Sequence, residues 1–207
     1  NPLYSDLVVS GRNDFVPANT LVDKMNGLSD PRRAKYFDIK PGATTYTGGI
    51  YGSSNNFAAF SHVSSTIADP TFAGTLFDYS EVEFLPAEAA ARGVAVGGTA
   101  SNHYNTAIAA SMENWGVAPA DITAYLAQSN VACDAANWKK SIGEQSWIAL
   151  YNRGFEGWTS LRRLDYPKLV APATTYNELK VVPTRYSYPA REETLNQTNV
   201  SAAISAI

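Results

Sequence analysis

The chain has 207 residues, of which 45% are hydrophobic, and a net charge of −3. That hydrophobic share excludes a disordered polymer, and the lack of a basic stripe argues against a nucleic-acid partner. A single cysteine, Cys133, and two distant histidines, His62 and His103, argue against a Cys/His metal site and exclude an internal disulfide, and no apolar run nears the roughly 20 residues that span a bilayer.

In chain order, Asn19–Met25 is helix-like. Asp30 before Pro31 is a turn starter, and Arg32 either grips an anion or fixes that turn through backbone carbonyls. Residues 41–68 contain no charged side chain and are rich in Gly, Ser, Thr and Asn, with Tyr46, Tyr51, Phe57 and Phe60 spaced among them. This composition predicts a loop with one short strand near 57–63.

A helix is predicted at 78–92, with Asp78 as N-cap, Glu81 three residues on, a kink or weakening at Pro86 and a stop at Gly93. The next helix, 99–115, carries the stripe Tyr104, Ile108 and Met112 and ends at Gly116. Five residues, 94–98, join the two, which predicts an antiparallel pair. Ala100, Tyr104 and Ala107 fit the A-x3-F/Y-x2-A spacing of a tetratricopeptide helix, where small residues let paired helices approach. Tyr104 and Trp115 are therefore expected to be buried, Tyr104 against the 78–92 helix.

Pro119 opens a short helix to Gln128. A longer helical region, 137–164, is interrupted near Gly154 and Gly157. Beyond Tyr166-Pro167 the chain is loop-rich, with a short strand at 179–182 and a last helix from Thr198. The fold class read here is mainly α: tetratricopeptide-like helical pairs with an irregular, loop-rich remainder, in a chain long enough for one sizeable domain or two small ones.

Residues that suggest chemistry mostly have structural readings. Glu81, Glu83 and Glu88 invite an acid/base reading, since paired carboxylates run glycoside hydrolysis, but capping and solvation explain them. No G-x-S-x-G occurs, and Cys133 lacks an electropositive setting. Glu144, Arg153, Glu156, Arg162 and Arg163 read as helix ion pairs and ties to the C-terminal loops. Trp138, Trp147 and Trp158 read as core before sugar platforms. No catalytic residue, metal or cofactor is expected.

The uncharged loop at 41–68 reads two ways. Its rings either anchor it to the helices or meet the apolar faces of sugars, while its amides and hydroxyls bind sugar hydroxyls. The candidate ligand-binding residues are Tyr46, Tyr51 and Asn55, with the glycines at 42, 48, 49 and 52 letting the backbone come near a ligand.

Several segments together resemble the SusD/RagB family, especially its smaller SusD-like branch. They are Asp30-Pro31-Arg32; the run DYSEVEFLPAEAAARG at 78–93, similar to the family's TYAEVLFLKAEAAARG helix; Tyr104 through Gly116; Ile142–Leu150 continued by Gly154-Phe155-Glu156-Gly157-Trp158 and Arg162-Arg163; and Pro183–Tyr186 with Tyr188-Pro189, Glu192-Glu193 and Asn196. Pro86 departs from the family helix. The resemblance covers only the C-terminal portion of the family, so the chain, which opens at Asn1 without an initiator Met, is expected to be a fragment or a processed chain. The resemblance implies a cell-surface, outer-membrane lipoprotein, its lipid anchor on a missing N-terminal part. Such a protein captures oligosaccharides or other nutrients non-covalently and delivers them to a SusC-like TonB-dependent transporter. The alternative is a helical protein-interaction scaffold without a small-molecule ligand.

Overall fold

Helices carry the chain in the computed structural model, which describes residues 1–172 and 181–206. α1 (Pro2–Tyr4) runs into a π-helical turn, and α2 (Asn19–Gly27) and α3 (Arg33–Tyr36) follow. β1 (Phe37–Asp38) pairs antiparallel with β2 (His62–Val63), Phe37 opposite Val63. Then come α4 (Tyr79–Ala91), α5 (Ala100–Asn114), α6 (Pro119–Leu126), α7 (Trp138–Ala149), α8 (Gly154–Leu164), α9 (Ala190–Leu195) and α10 (Gln197–Ser205). The mainly helical class read from the sequence is the class observed.

The α4–α5 pair is antiparallel: the start of α4 meets the middle of α5, and later α4 residues meet earlier α5 residues. Ser80 Oγ donates to the Ala107 carbonyl at 2.8 Å, Glu83 meets His103, and the Phe84 ring lies edge-on to Tyr104 with centroids 6.5 Å apart. Asp78 caps α4 as expected, its Oδ1 accepting from the Glu81 N–H at 2.9 Å. The helix continues through Pro86 to Ala91. Tyr104 is buried and its hydroxyl donates to the Val131 carbonyl at 2.7 Å, whereas Trp115 is only partly buried.

Two apolar clusters meet around α7. The larger joins Phe84, Tyr104, Ile108, Met112, Tyr125, Ile142 and Leu164. The smaller joins Val22, Met25, Tyr36, Phe37 and Ile148, with Tyr46, Trp115, Trp147 and Tyr151 half-buried against it. α7 feeds both because Ile142 and Ile148 leave the helix on different sides.

Four expectations are corrected. Of the interruptions expected near Gly154 and Gly157, the first is found, at 150–153 just before Gly154, but the second is not, since Gly157 is buried inside α8. At the break Asn152 adopts φ 65°, and Arg153 turns inward to Asp78 and Glu81 at 2.9 and 2.8 Å. Residues 57–59 form a 3₁₀ turn, so the strand expected over 57–63 shrinks to β2. Among the described residues the Arg32 side chain bonds no backbone carbonyl. Its side chain is fully buried in a bidentate pair with Asp30, and it also donates to Ser111 Oγ and Gln145 Oε1, both at 3.0 Å. The Asp30 carbonyl is instead bonded by Arg33, at 2.8 Å. Finally, the charges around α7 and α8 do form ion pairs between helices, to α2 and α4 through Lys24–Glu144, Arg153–Asp78, Arg153–Glu81 and Arg163–Glu88, and among the described residues they make no ion pair to the C-terminal loops. The strand expected at 179–182 falls partly outside the described residues, and Val181 and Val182 are not in a strand.

Candidate functional site

Lys140, Glu144, Trp147 and Tyr151 follow one another at i, i+4, i+7 and i+11, which places them along one face of α7 and its last turn. Leu21, Lys24 and Leu28 form a similar row on α2. The rows run in opposite directions: Leu21 shares a cleft with Trp147 and Tyr151, Lys24 Nζ reaches Glu144 Oε1 at 2.8 Å, and Leu28 lies with Glu144 and Lys140. The Lys24–Glu144 ion pair thus separates two clefts.

The first cleft, of about 530 Å³, is walled by Leu21, Trp147, Leu150, Tyr151, Trp158 and Leu161. The volume lies in the range of small-molecule sites. The rings are held firmly. Tyr151 stacks on Tyr36 with centroids 4.3 Å apart, and burial pushes its hydroxyl pKa up to about 12, so it stays a neutral donor. The Trp158 indole N–H donates to the Pro183 carbonyl at 2.8 Å, the Tyr186 ring stands edge-on to it at 5.3 Å, and the Arg162 guanidinium lies 5.0 Å from its centroid. Arg153 is the charged member of the described lining, and Asp78 and Glu81 neutralise it. An aromatic wall whose described charge is already paired suits a ligand with apolar faces and polar edges.

The three residues proposed in the 41–68 loop occupy different settings. Tyr46 is half-buried, tilted against Phe37 at 6.4 Å and under the Arg33 guanidinium at 5.8 Å. Asn55 bonds its own loop: Oδ1 accepts from the Ile50 N–H at 3.0 Å, and Nδ2 donates to the Ile50 and Ser53 carbonyls at 2.8 and 2.9 Å. Tyr51 is partly exposed near the loop tip. The loop's Gly48-Gly49 pair serves the chain's own packing. A Cβ at Gly48 would meet the Asn19 backbone at 2.5 Å, and Gly49 exchanges backbone hydrogen bonds with Pro17 and Asn19. Phe37 links loop and cleft, since its ring also meets Tyr151 edge-on with centroids 5.6 Å apart.

The carboxylates considered for acid/base work are engaged. Glu81 holds Arg153, Glu88 holds Arg92 and Arg163 at 2.9 and 2.8 Å, and Glu83 Oε2 lies 2.7 Å from His103 Nδ1. His62 stacks on Phe57 at 3.7 Å and contacts the Phe57 carbonyl. Burial and then Asp134 raise the Cys133 thiol pKa, which leaves little thiolate. Among the described residues no group of His, Cys, Asp and Glu is arranged to hold a metal ion, and no described helix is long and apolar enough to cross a membrane. The aromatic cleft itself was missed in the sequence. Its signal was the spacing of Trp147, Tyr151 and Trp158, legible only once the break at 150–153 is known.

No curated protein matches the chain. Among solved structures, a SusD homolog from Bacteroides ovatus shares 28% identity and superposes with a TM-score of 0.80 over 99% of this chain and 50% of its own. A chitin-binding SusD homolog from Flavobacterium johnsoniae shares 27% identity with a TM-score of 0.78, over 99% of this chain and 49% of that one. A SusD homolog from Bacteroides uniformis shares 30% identity with a TM-score of 0.72, over 92% and 46%. The chain spans about half the length of these relatives. The SusD-like family described as "Starch-binding associating with outer membrane" matches residues 1–189, so the chain belongs to the SusD-like family.

Proposed function

We propose that this chain is part of a cell-surface protein that captures glycans and passes them to a SusC-like TonB-dependent transporter in the outer membrane, where a lipid anchor outside the present sequence holds it. The observation that carries the ligand class is the open cleft of Trp147, Tyr151 and Trp158, whose charged residue among the described lining, Arg153, is paired with Asp78 and Glu81. Flat rings meet the CH faces of sugars, and the ring edges and nearby backbone groups bond hydroxyls. Engagement of Glu81 and Glu88 in ion pairs and of Glu83 in a hydrogen bond to His103 supports binding over hydrolysis, because a general acid needs a carboxyl free to exchange its proton. In the loop, Tyr51 is the proposed ligand contact, while Tyr46 and Asn55 shape the backbone that presents it. The chitin-binding relative makes β-linked N-acetylglucosamine oligomers the first ligands to try.

The test is calorimetry of the purified protein with chitotetraose and maltotetraose, for wild type and for Trp158→Ala, Trp147→Ala and Tyr51→Ala. Affinity in the micromolar to millimolar range is expected, with about a tenfold loss in Trp158→Ala, equivalent to about 1.4 kcal/mol. Binding by wild type that none of the three substitutions changes, with helical content intact, would remove both the cleft and the loop tip from the site. Product release from either sugar would overturn the non-catalytic reading.

A further inference from the structure

Beyond the Lys24–Glu144 ion pair, the other end of α7 walls a second cleft, of about 480 Å³, whose chemistry differs from the first. Its surface is mostly polar, from Ser129, Asn130, Asn137, Lys140 and Ser141, with Tyr166 at one side. The loop that closes it, 127–137, is held at several points. The Tyr104 hydroxyl bonds the Val131 carbonyl at 2.7 Å, and Ser141 Oγ accepts from the Asp134 N–H at 3.0 Å. The Asp134 carboxylate in turn accepts from the Ala136 N–H at 2.9 Å and from Asn137 Nδ2 at 2.8 Å. Opposite, Gly143 lets Tyr166 come close, since a Cβ there would lie 2.7 Å from the Tyr166 Cβ.

These bonds fix the wall but leave some of its polar groups unused. Ser129, Asn130 and Lys140 are exposed, and among the described residues their side chains make no hydrogen bond or ion pair. The charges balance: Lys24 meets Glu144, and Lys140 acts on Asp134, whose pKa Asn137 and backbone bonds hold below the usual carboxylate range. A preformed, neutral hollow lined by amide, hydroxyl and ammonium donors, with one ring, suits a ligand dense in hydroxyls and without net charge.

We propose that this cleft is a second saccharide subsite, which takes a short neutral oligosaccharide through hydrogen bonds to its hydroxyls, where the first cleft uses ring stacking. Asn130 offers both a donor and an acceptor to vicinal hydroxyls, Lys140 donates, and Tyr166 meets one CH face. The inference rests on the glycan-capture reading but not on the aromatic cleft. The two clefts lie at opposite ends of the contact between α2 and α7, so one protein could hold two segments of a chain or two short chains at once, which raises avidity without any new contact.

The test is a titration of the protein with chitotetraose and maltotetraose, followed by calorimetry and by the amide signals of Asn130 in 1H–15N spectra. Wild type, the double variant Asn130→Ala/Lys140→Ala and Trp158→Ala are compared. The substituted side chains of the double variant are exposed and tie nothing together, so its fold should match wild type by circular dichroism. The expected result is that sugar shifts the Asn130 signals in wild type and in Trp158→Ala. The double variant should lose about fivefold or more in one binding phase. A single phase abolished by Trp158→Ala and untouched by the double variant, with Asn130 signals unmoved, would overturn the second subsite and leave the glycan reading standing. No binding of either sugar by wild type would overturn both.

Discussion

Arg32 and Asp30 form a bidentate ion pair from which solvent is fully excluded, with Arg32 Nη2 2.6 Å from Asp30 Oδ2. The guanidinium also bonds Ser111 on α5 and Gln145 on α7, and Gln145 Nε2 donates onward to the Tyr125 hydroxyl at 2.8 Å. A three-residue turn thereby fastens three helices. Removing one partner leaves a buried charge with nothing to balance it, so Asp30→Ala should cost about 3–5 kcal/mol. Arg32→Lys should fall close behind, because an ammonium cannot reproduce the forked geometry. Urea unfolding of both variants checks this, and a cost below about 1 kcal/mol for Asp30→Ala would show that the pair is not what joins the helices.

Tyr104 allows packing and hydrogen bonding to be separated. Tyr104→Ala should cost about 3–5 kcal/mol, as for a large core aromatic. Tyr104→Phe keeps the ring against Phe84 but strands the Val131 carbonyl, and should cost about 1–2 kcal/mol. Equal losses in the two variants would mean that the ring contributes little to the α4–α5 contact.

Gly48→Ala places a methyl 2.5 Å from the Asn19 backbone, which cannot move aside as a flexible side chain would. The expected result is detachment of the 41–68 loop from the start of α2. Hydrogen exchange should then speed up at the Asn19 and Gly49 amides while the α4–α5 amides stay protected. Unchanged exchange at those two amides would rule out the close approach.

Glu83 accepts hydrogen bonds from Tyr79 and His103, which hold its pKa below the ordinary value of 4.5. A carboxyl whose folded pKa is depressed adds stability that is present above the unfolded value and lost as pH falls through the folded one. Wild type should therefore exceed Glu83→Gln in urea midpoint at about pH 7, and the difference should shrink by about pH 3.5. A difference that does not change with pH would assign the effect to packing instead of charge.

Much of the fold was legible locally. Asp78 capping Glu81, Pro119 opening α6 and the 104–108–112 stripe each depend on chain neighbours, and the structure shows all three where the sequence placed them. The sequence also determined the family, because that signal is an order of segments along the chain. Only the tertiary structure decided what those residues face. The interruption near Gly154 was legible, but that Arg153 turns inward there to Asp78 and Glu81, over 70 positions away, was not. Gly48 admits the backbone at 18–19 and Gly49 bonds the backbone at Pro17 and Asn19, since what fills the space beside a glycine comes from distant chain. Trp147, Tyr151 and Trp158 wall a cleft for the same reason. Helical spacing tells which side chains share a face, but whether that face is covered depends on where α2 comes to rest, and its position follows from packing between distant segments.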